Sequence, residues 1–298
     1  MEKIILKNDR MAVTILPKRG GKTASIFLKS RNFELLAQPP GGIYPSLLPG
    51  MSFHIGDASG FDDVFPSMGE GETEVQGELM KLPDHGMIWT APMHAEQHEN
   101  TVSLSWNCPR PSFRYEKRVQ LEENRVYYQI VITNTSSHLL EGIWVCHCLM
   151  HDEEGVNFEF PEEARTAVNL IPGSCLGEAG REHKLWNSAH DFLHPPADNS
   201  AIKFYVKEPI RNGCCAANYP RSGIRVLLRF DPNALPFLGF WMTTGAYRGD
   251  RNFAFEPATG YYDTIACART NGRLSFIPPS GQMILNMSIE LIHLSQIG

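Results

Sequence analysis

The 298-residue sequence has no stretch approaching 18 consecutive apolar residues, so no segment reads as a bilayer-spanning helix. Its first residues, MEKIILKNDRMAV, hold too short an apolar run for a secretory leader and lack a small-residue cleavage site. Basic charge is not in excess. The net charge of −6 and a pI near 6.0 argue against a nucleic-acid or membrane-surface partner. Only seven cysteines occur, at 108, 146, 148, 175, 214, 215 and 267. An odd count without a leader points to reduced thiols and a cytoplasmic location rather than a disulfide framework. The glycine-rich stretches Arg19-Gly20-Gly21-Lys22 and Gly69-Glu70-Gly71 fit neither a P-loop nor a dinucleotide fingerprint, and no G-x-S-x-G elbow is present. Finally, no segment of 12 or more residues carries a helical stripe; a short helix is expected only within 178–191.

What is present is alternation of period two. Phe113, Tyr115, Val119 and Leu121 alternate with Arg114, Glu116, Arg118 and Gln120. Val126, Tyr128, Ile130 and Ile132 form a second series, and Met283, Leu285, Met287, Ile289 and Leu291 a third. Such alternation marks strands buried on one face. Further β-rich runs lie at 11–16, 23–28, 87–93, 102–106, 143–149, 202–206, 224–230, 237–242 and 273–277, separated by turn signals such as Glu122-Glu123-Asn124 and Thr270-Asn271-Gly272. Many short strands without an internal repeat predict an all-β fold, a large antiparallel β-sandwich forming one domain over 1–298. The stretches 39–72 and 162–200 read as long excursions from the sheets, where binding groups often sit.

Three positions stand out chemically. His85 follows Pro83-Asp84 and precedes Gly86, at the mouth of a strand. His147 lies in Ile143-Trp144-Val145-Cys146-His147-Cys148-Leu149-Met150, a run apolar on both faces, where an imidazole needs a hydrogen-bond partner or a function. Glu256 precedes Pro257 at what reads as a strand end, a setting that favours a solvated carboxylate. Cys146, His147, Cys148 and His151 do not make a zinc site, because on a strand His147 and the two cysteines face opposite ways. No metal and no organic cofactor is expected.

Taken together these segments resemble the aldose 1-epimerase (galactose mutarotase-like) family. Asp84-His85-Gly86 followed by Trp89 is similar to its D-H-G-x-x-W stretch. Trp144 to Met150 is similar to W-x-x-H-P-x-F, with Cys148 where proline is usual, and Phe255-Glu256-Pro257-Ala258-Thr259 is similar to L-E-P-x-T. Gly60-Phe61-Asp62-Asp63-Val64-Phe65-Pro66 echoes a G-x-D-E-x-F-P segment. The resemblance implies a β supersandwich, Glu256 as general base, His147 as general acid and His85 as a substrate-binding residue. Two features of the best-known branch are missing. There is no Asn-Arg pair before the first histidine, and the mid-chain substrate-binding aspartate has only Asp198 as a poor match. The chain therefore reads as a divergent branch, and its sugar is not inherited.

Mutarotation needs an acid and a base on opposite sides of one sugar ring. A glutamate near its ordinary pKa of about 4.3 is ionised at neutral pH, and its charge is expected to raise the pKa of a nearby His147. Trp89 and Trp241 are candidates for stacking on the sugar. The alternatives are a hexose-phosphate epimerase, for which Arg248 and Arg251 would supply charge, and a non-catalytic carbohydrate-binding protein. The partner is a small-molecule sugar, and a monomer or homodimer is expected.

Overall fold

The computed structural model describes residues 2–296 apart from 54, 76 and 186–197. Half of the chain is strand and 5% is helix. A 12-stranded antiparallel sheet runs in the order Ile4–Lys7, Met11–Leu16, Lys22–Leu28, Phe61–Val64, Val145–Cys148, Arg251–Ala258, Phe237–Thr244, Ala201–Val206, Thr166–Asn169 and Glu182–Lys184, with Phe33–Glu34 and Met150–His151 pairing beside it. An 8-stranded sheet contains Phe113–Glu122, Arg125–Asn134 and Gln282–His293, the three segments with the clearest alternation. The first two pair in register from Phe113↔Asn134 to Glu122↔Arg125, the register that the Glu123-Asn124 turn requires. Their apolar sets meet apolar residues of the larger sheet in one buried cluster that includes Val13, Ile26, Tyr115, Ile130, Cys146, Phe255 and Ile289.

Three expectations are corrected. Residues 87–90 form turns and 91–93 are irregular, with no strand, because Gly86 and its neighbours are drawn back onto Phe65: Met87 N–H donates to the Phe65 carbonyl (2.7 Å). The 39–72 excursion contains Phe61–Val64, a strand in the interior of the larger sheet, and 162–200 contains two of its strands, Thr166–Asn169 and Glu182–Lys184. The expected helix within 178–191 is the Glu182–Lys184 strand as far as residue 185, and the rest of that segment lies outside the described residues. The α-helix among the described residues is instead Ile265–Thr270, capped by the Thr264 side chain, which accepts from Cys267 N–H (3.2 Å).

Phe61–Val64 escapes a pattern reading because its sequence is Phe-Asp-Asp-Val. Both aspartates are buried, and each finds a lysine on a different side of the strand. Asp62 meets Lys22 (2.5 Å), which also lies 3.4 Å from Asp57; Asp57 in turn pairs with Arg19 (3.0 Å). Burial pushes the Asp62 carboxyl up to about 6, with Lys22 opposing. Asp63 turns toward the second sheet and meets Lys117 (2.5 Å), both fully buried. Lys117 occupies the inward set of its strand, between Tyr115 and Val119, and its ammonium lies over the Phe61 and Tyr128 rings. Removing one member of such a pair leaves a buried charge uncompensated. Lys117→Met should therefore lower stability by about 3–5 kcal/mol, and adding Asp63→Leu should recover much of the loss. Chemical denaturation of the single and double variants measures this; an unaffected single variant would show the pair to be energetically idle.

Candidate active site

Strand alternation carries the site to the face of the larger sheet that points away from the second sheet. Cys146 and Cys148 enter the inter-sheet core while His147 points the other way, as alternation requires. Phe253 and Phe255 are in the same core, so Glu256 shares the opposite face with Ala254 and Ala258. Likewise Ile202, Phe204 and Val206 face inward while Lys203 faces out. Two smaller apolar clusters flank this region, one with Tyr205, Phe237 and Tyr261, the other with Phe53, Trp89 and Trp241. Between them lies a pocket of about 220 Å³ lined by Phe53, Asp84, His85, His147, Lys203, Trp241, Tyr247 and Asp263, among others. Its size suits a small ring rather than a drug-sized ligand.

The three residues singled out in the sequence come together. His147 Nε2 lies 3.9 Å from Glu256 Oε1, and the His85 and His147 rings are 4.8 Å apart, edge to face. His85 adopts a left-handed backbone (φ 57°), and a Cβ on Gly86 would sit 2.3 Å from the Phe65 carbonyl oxygen, so the Asp-His-Gly turn requires its glycine. His85 Nδ1 is 2.8 Å from Asp84 Oδ1, while Asp84 Oδ2 accepts from Phe53 N–H (2.6 Å) and Ser52 Oγ (3.2 Å). Burial acts upward on the Asp84 carboxyl but is outweighed by the His85 and Phe53 hydrogen bonds, which hold it below its usual range. Phe53 stacks on His85 (4.1 Å between centroids) and meets His147 edge-on (5.2 Å).

Glu256 is not a solvated strand-end carboxylate. It lies within the Arg251–Ala258 strand, 0% exposed, directly behind His147 and Lys203 in the pocket wall. Room for it comes from Gly239, its register partner: a Cβ there would approach Glu256 Oε2 to 3.0 Å. Lys203 Nζ lies 3.2 Å from Glu256 Oε2 and 3.0 Å from Asp263 Oδ2. Burial drives the Glu256 carboxyl up to about 7, with Lys203 pulling it down and Asp263 adding to the rise. The same burial holds His147 well below its ordinary pKa, aided by His85 and Lys203. The expectation that Glu256 would raise His147 is thus reversed: desolvation lowers it, and the carboxylate 3.9 Å away, itself drawn up to about 7, does not offset this. Burial also lowers His85, with Asp84 opposing.

The other candidates fall outside the centre or have different partners. Asp198 is 87% exposed and pairs with Arg251, which also holds Asp152, so neither lines the pocket. Arg248 donates to Asp250 and to the carbonyls of Phe53 and Gly56, tying down the segment that carries Phe53. Trp89 is buried behind His85, and Trp241 lines the pocket with its Nε1–H on Asn252 Oδ1 (3.0 Å). Phe53, Lys203 and Asp263 had not been singled out. Lys203 did leave a signal, a lysine flanked by Ile202 and Phe204 in a β-rich run. Among the described residues no group of three or more His, Cys, Asp or Glu is placed to hold a metal ion, and no helix is long and apolar enough to cross a membrane.

The two antiparallel sheets, packed face to face over one core, form the galactose mutarotase-like fold. Solved structures share it over almost the whole chain. The Slr1438 protein of Synechocystis sp. PCC 6803 matches with a TM-score of 0.78 at 14% identity, covering 98% of this chain and 96% of that one. A galactose mutarotase related enzyme from Lactobacillus acidophilus matches at 0.70 and 14%, covering 98% of each. A galactose mutarotase-like protein from Lactobacillus casei matches at 0.70 and 14%, covering 98% and 100%. No family model and no curated protein sequence matches the chain.

The raised Glu256 carboxyl carries a stability consequence of definite sign. Its contribution is fully present below about 4.5 and is lost as pH rises through about 7. Glu256→Gln has no such loss. Melting temperatures measured from pH 5 to pH 8 should therefore move in favour of the variant relative to the wild type as pH rises. A constant difference would mean that Glu256 titrates at its ordinary value.

Proposed function

We propose that the protein is an aldose 1-epimerase that interconverts the α and β anomers of an uncharged aldose. The observation that carries this reading is the 3.9 Å approach of His147 Nε2 to Glu256 Oε1 in the wall of a small pocket, from strands more than 100 residues apart in sequence. Ionised Glu256 takes the proton of the anomeric hydroxyl. The ring opens to the aldehyde as Glu256 passes that proton on to the ring oxygen, which is bonded to the same carbon, and returns to its ionised form; rotation about C1–C2 presents the other face, and closure runs the same transfer in reverse. His147 serves the ring oxygen, and His85, oriented by Asp84, holds the sugar beside it. With its pKa held low, His147 acts as a neutral imidazole whose N–H polarises the ring oxygen. A sugar reaching both imidazoles takes the place of the Phe53 ring, which stacks on His85 and meets His147 edge-on.

Charge in the pocket argues against a phosphorylated substrate. Lys203 is the one lysine or arginine among the described lining residues, and it is already set between two carboxylates. A second reading, a carbohydrate-binding protein without catalysis, is favoured by one observation: Glu256 has no exposed surface.

Polarimetry on freshly dissolved α-anomers of an aldose panel, with phosphorylated aldoses included, separates these readings. The wild type should accelerate anomer exchange of at least one uncharged aldose. Glu256→Gln should slow it by at least about 100-fold while retaining sugar binding. The wild-type rate should rise through about pH 7 as Glu256 ionises and then hold level, without an alkaline limb from His147. Sugar binding without acceleration of exchange would establish the binding protein instead, and a rate that falls above pH 7 would make Glu256 the acid and not the base.

A further inference from the structure

Glu256 raises a problem that its strand does not solve. A carboxylate with no contact with water is held neutral by desolvation unless a cation compensates it. If a lysine compensates it alone, protonating the carboxylate strands a buried ammonium, so the base is locked in its charged form and becomes weak. Here Lys203 has two carboxylates within reach. Its ammonium is 3.2 Å from Glu256 and 3.0 Å from Asp263, and the Lys203 side chain is 10% exposed and Asp263 25%. Neither Glu256 oxygen has a well-aligned hydrogen-bond donor among the described residues, so charge rather than hydrogen-bond geometry couples the pair.

We propose that Lys203 and Asp263 form one positioning unit for Glu256: the shared ammonium stabilises the carboxylate while it waits for a proton, and Asp263 retains that ammonium once Glu256 is protonated. The unit rests on the reading of Glu256 as the base, and it explains how a sealed carboxylate can still change charge within a catalytic cycle. The groups facing Glu256 divide clearly. Lys203 and Tyr205 come from the Ala201–Val206 strand, His147 from Val145–Cys148, and Asp263 from the turn after Arg251–Ala258, while Phe237–Thr244 sets Gly239 against it. Tyr205 is held far above its ordinary pKa by burial, and His147 is held neutral by burial, so neither changes charge near pH 7. Lys203 itself stays protonated: burial acts against its charge but is exceeded by Asp263 and Glu256. Two charges of opposite sign therefore set the proton affinity of Glu256. The Asp263 carboxylate raises it and the Lys203 ammonium lowers it.

The test follows the Glu256 carboxyl carbon by 13C NMR in the full-length protein, its resonance assigned by its loss in Glu256→Gln. In Lys203→Met the titration midpoint should rise by about 1–3 pH units, the usual effect of an opposite charge at this distance, and in Asp263→Asn it should fall. Lys203→Arg should leave it near the wild-type value. In the pH dependence of kcat/KM for anomer exchange, the acid limb should move with these midpoints, which a merely structural role would not produce. If Lys203→Met does not fold, the downward shift in Asp263→Asn carries the test. Midpoints that stay put or move in the same direction in both variants overturn the unit. Opposite shifts in the two variants, together with a wild type that accelerates exchange of no sugar, would leave the charge unit standing and remove the epimerase reading.

Discussion

The structure turns on the burial of one carboxylate. Glu256 has no exposed surface and is held against Lys203, with Gly239 leaving it room. Each of these comes from a different strand of the larger sheet, so the site exists only when Val145–Cys148, Arg251–Ala258, Phe237–Thr244 and Ala201–Val206 are correctly paired. The cost of leaving such a charge unpaired, several kcal/mol, ties sheet register to site chemistry: a one-residue slip would turn Glu256 into the apolar core and Phe255 into the pocket.

The same device recurs beneath the site. Asp62 with Lys22, and Asp63 with Lys117, carry ion pairs through both faces of the Phe61–Val64 strand. Asp62 is the register partner of His147, so the buried charges lie in the strand next to the imidazole that the pocket presents. The pocket is thus built from compensated charges embedded in apolar clusters, which keeps its side chains in fixed positions.

The fold was legible where apolar residues either alternate along a strand or fill it on both faces. Alternation at Phe113–Glu122, Arg125–Asn134 and Gln282–His293 marks three adjacent strands, and the apolar run around His147 marks an interior strand of the larger sheet. Phe61–Val64 was not legible, because its adjacent aspartates read as a loop until lysines from distant strands neutralise them. The site was legible to the extent that its residues sit in recognisable local segments: His85 in an Asp-His-Gly turn, His147 in an apolar run, Glu256 before a proline. Lys203 and Asp263 have no such local setting, and their meaning arises only when the sheet sets them beside Glu256. Protonation states were the least legible, since desolvation depends on what covers a group; it leaves Glu256 only partly ionised near pH 7 and reverses the expected shift of His147.

The most direct measurement of the central claim is a crystal structure of Glu256→Gln with an aldose bound. The account predicts a single sugar ring in the pocket, with its anomeric oxygen within about 3 Å of the residue-256 amide, its ring oxygen beside His147, and Phe53 displaced from the imidazole pair. A sugar seated with Phe53 still stacked on His85, or with its anomeric centre facing away from residue 256, would contradict it.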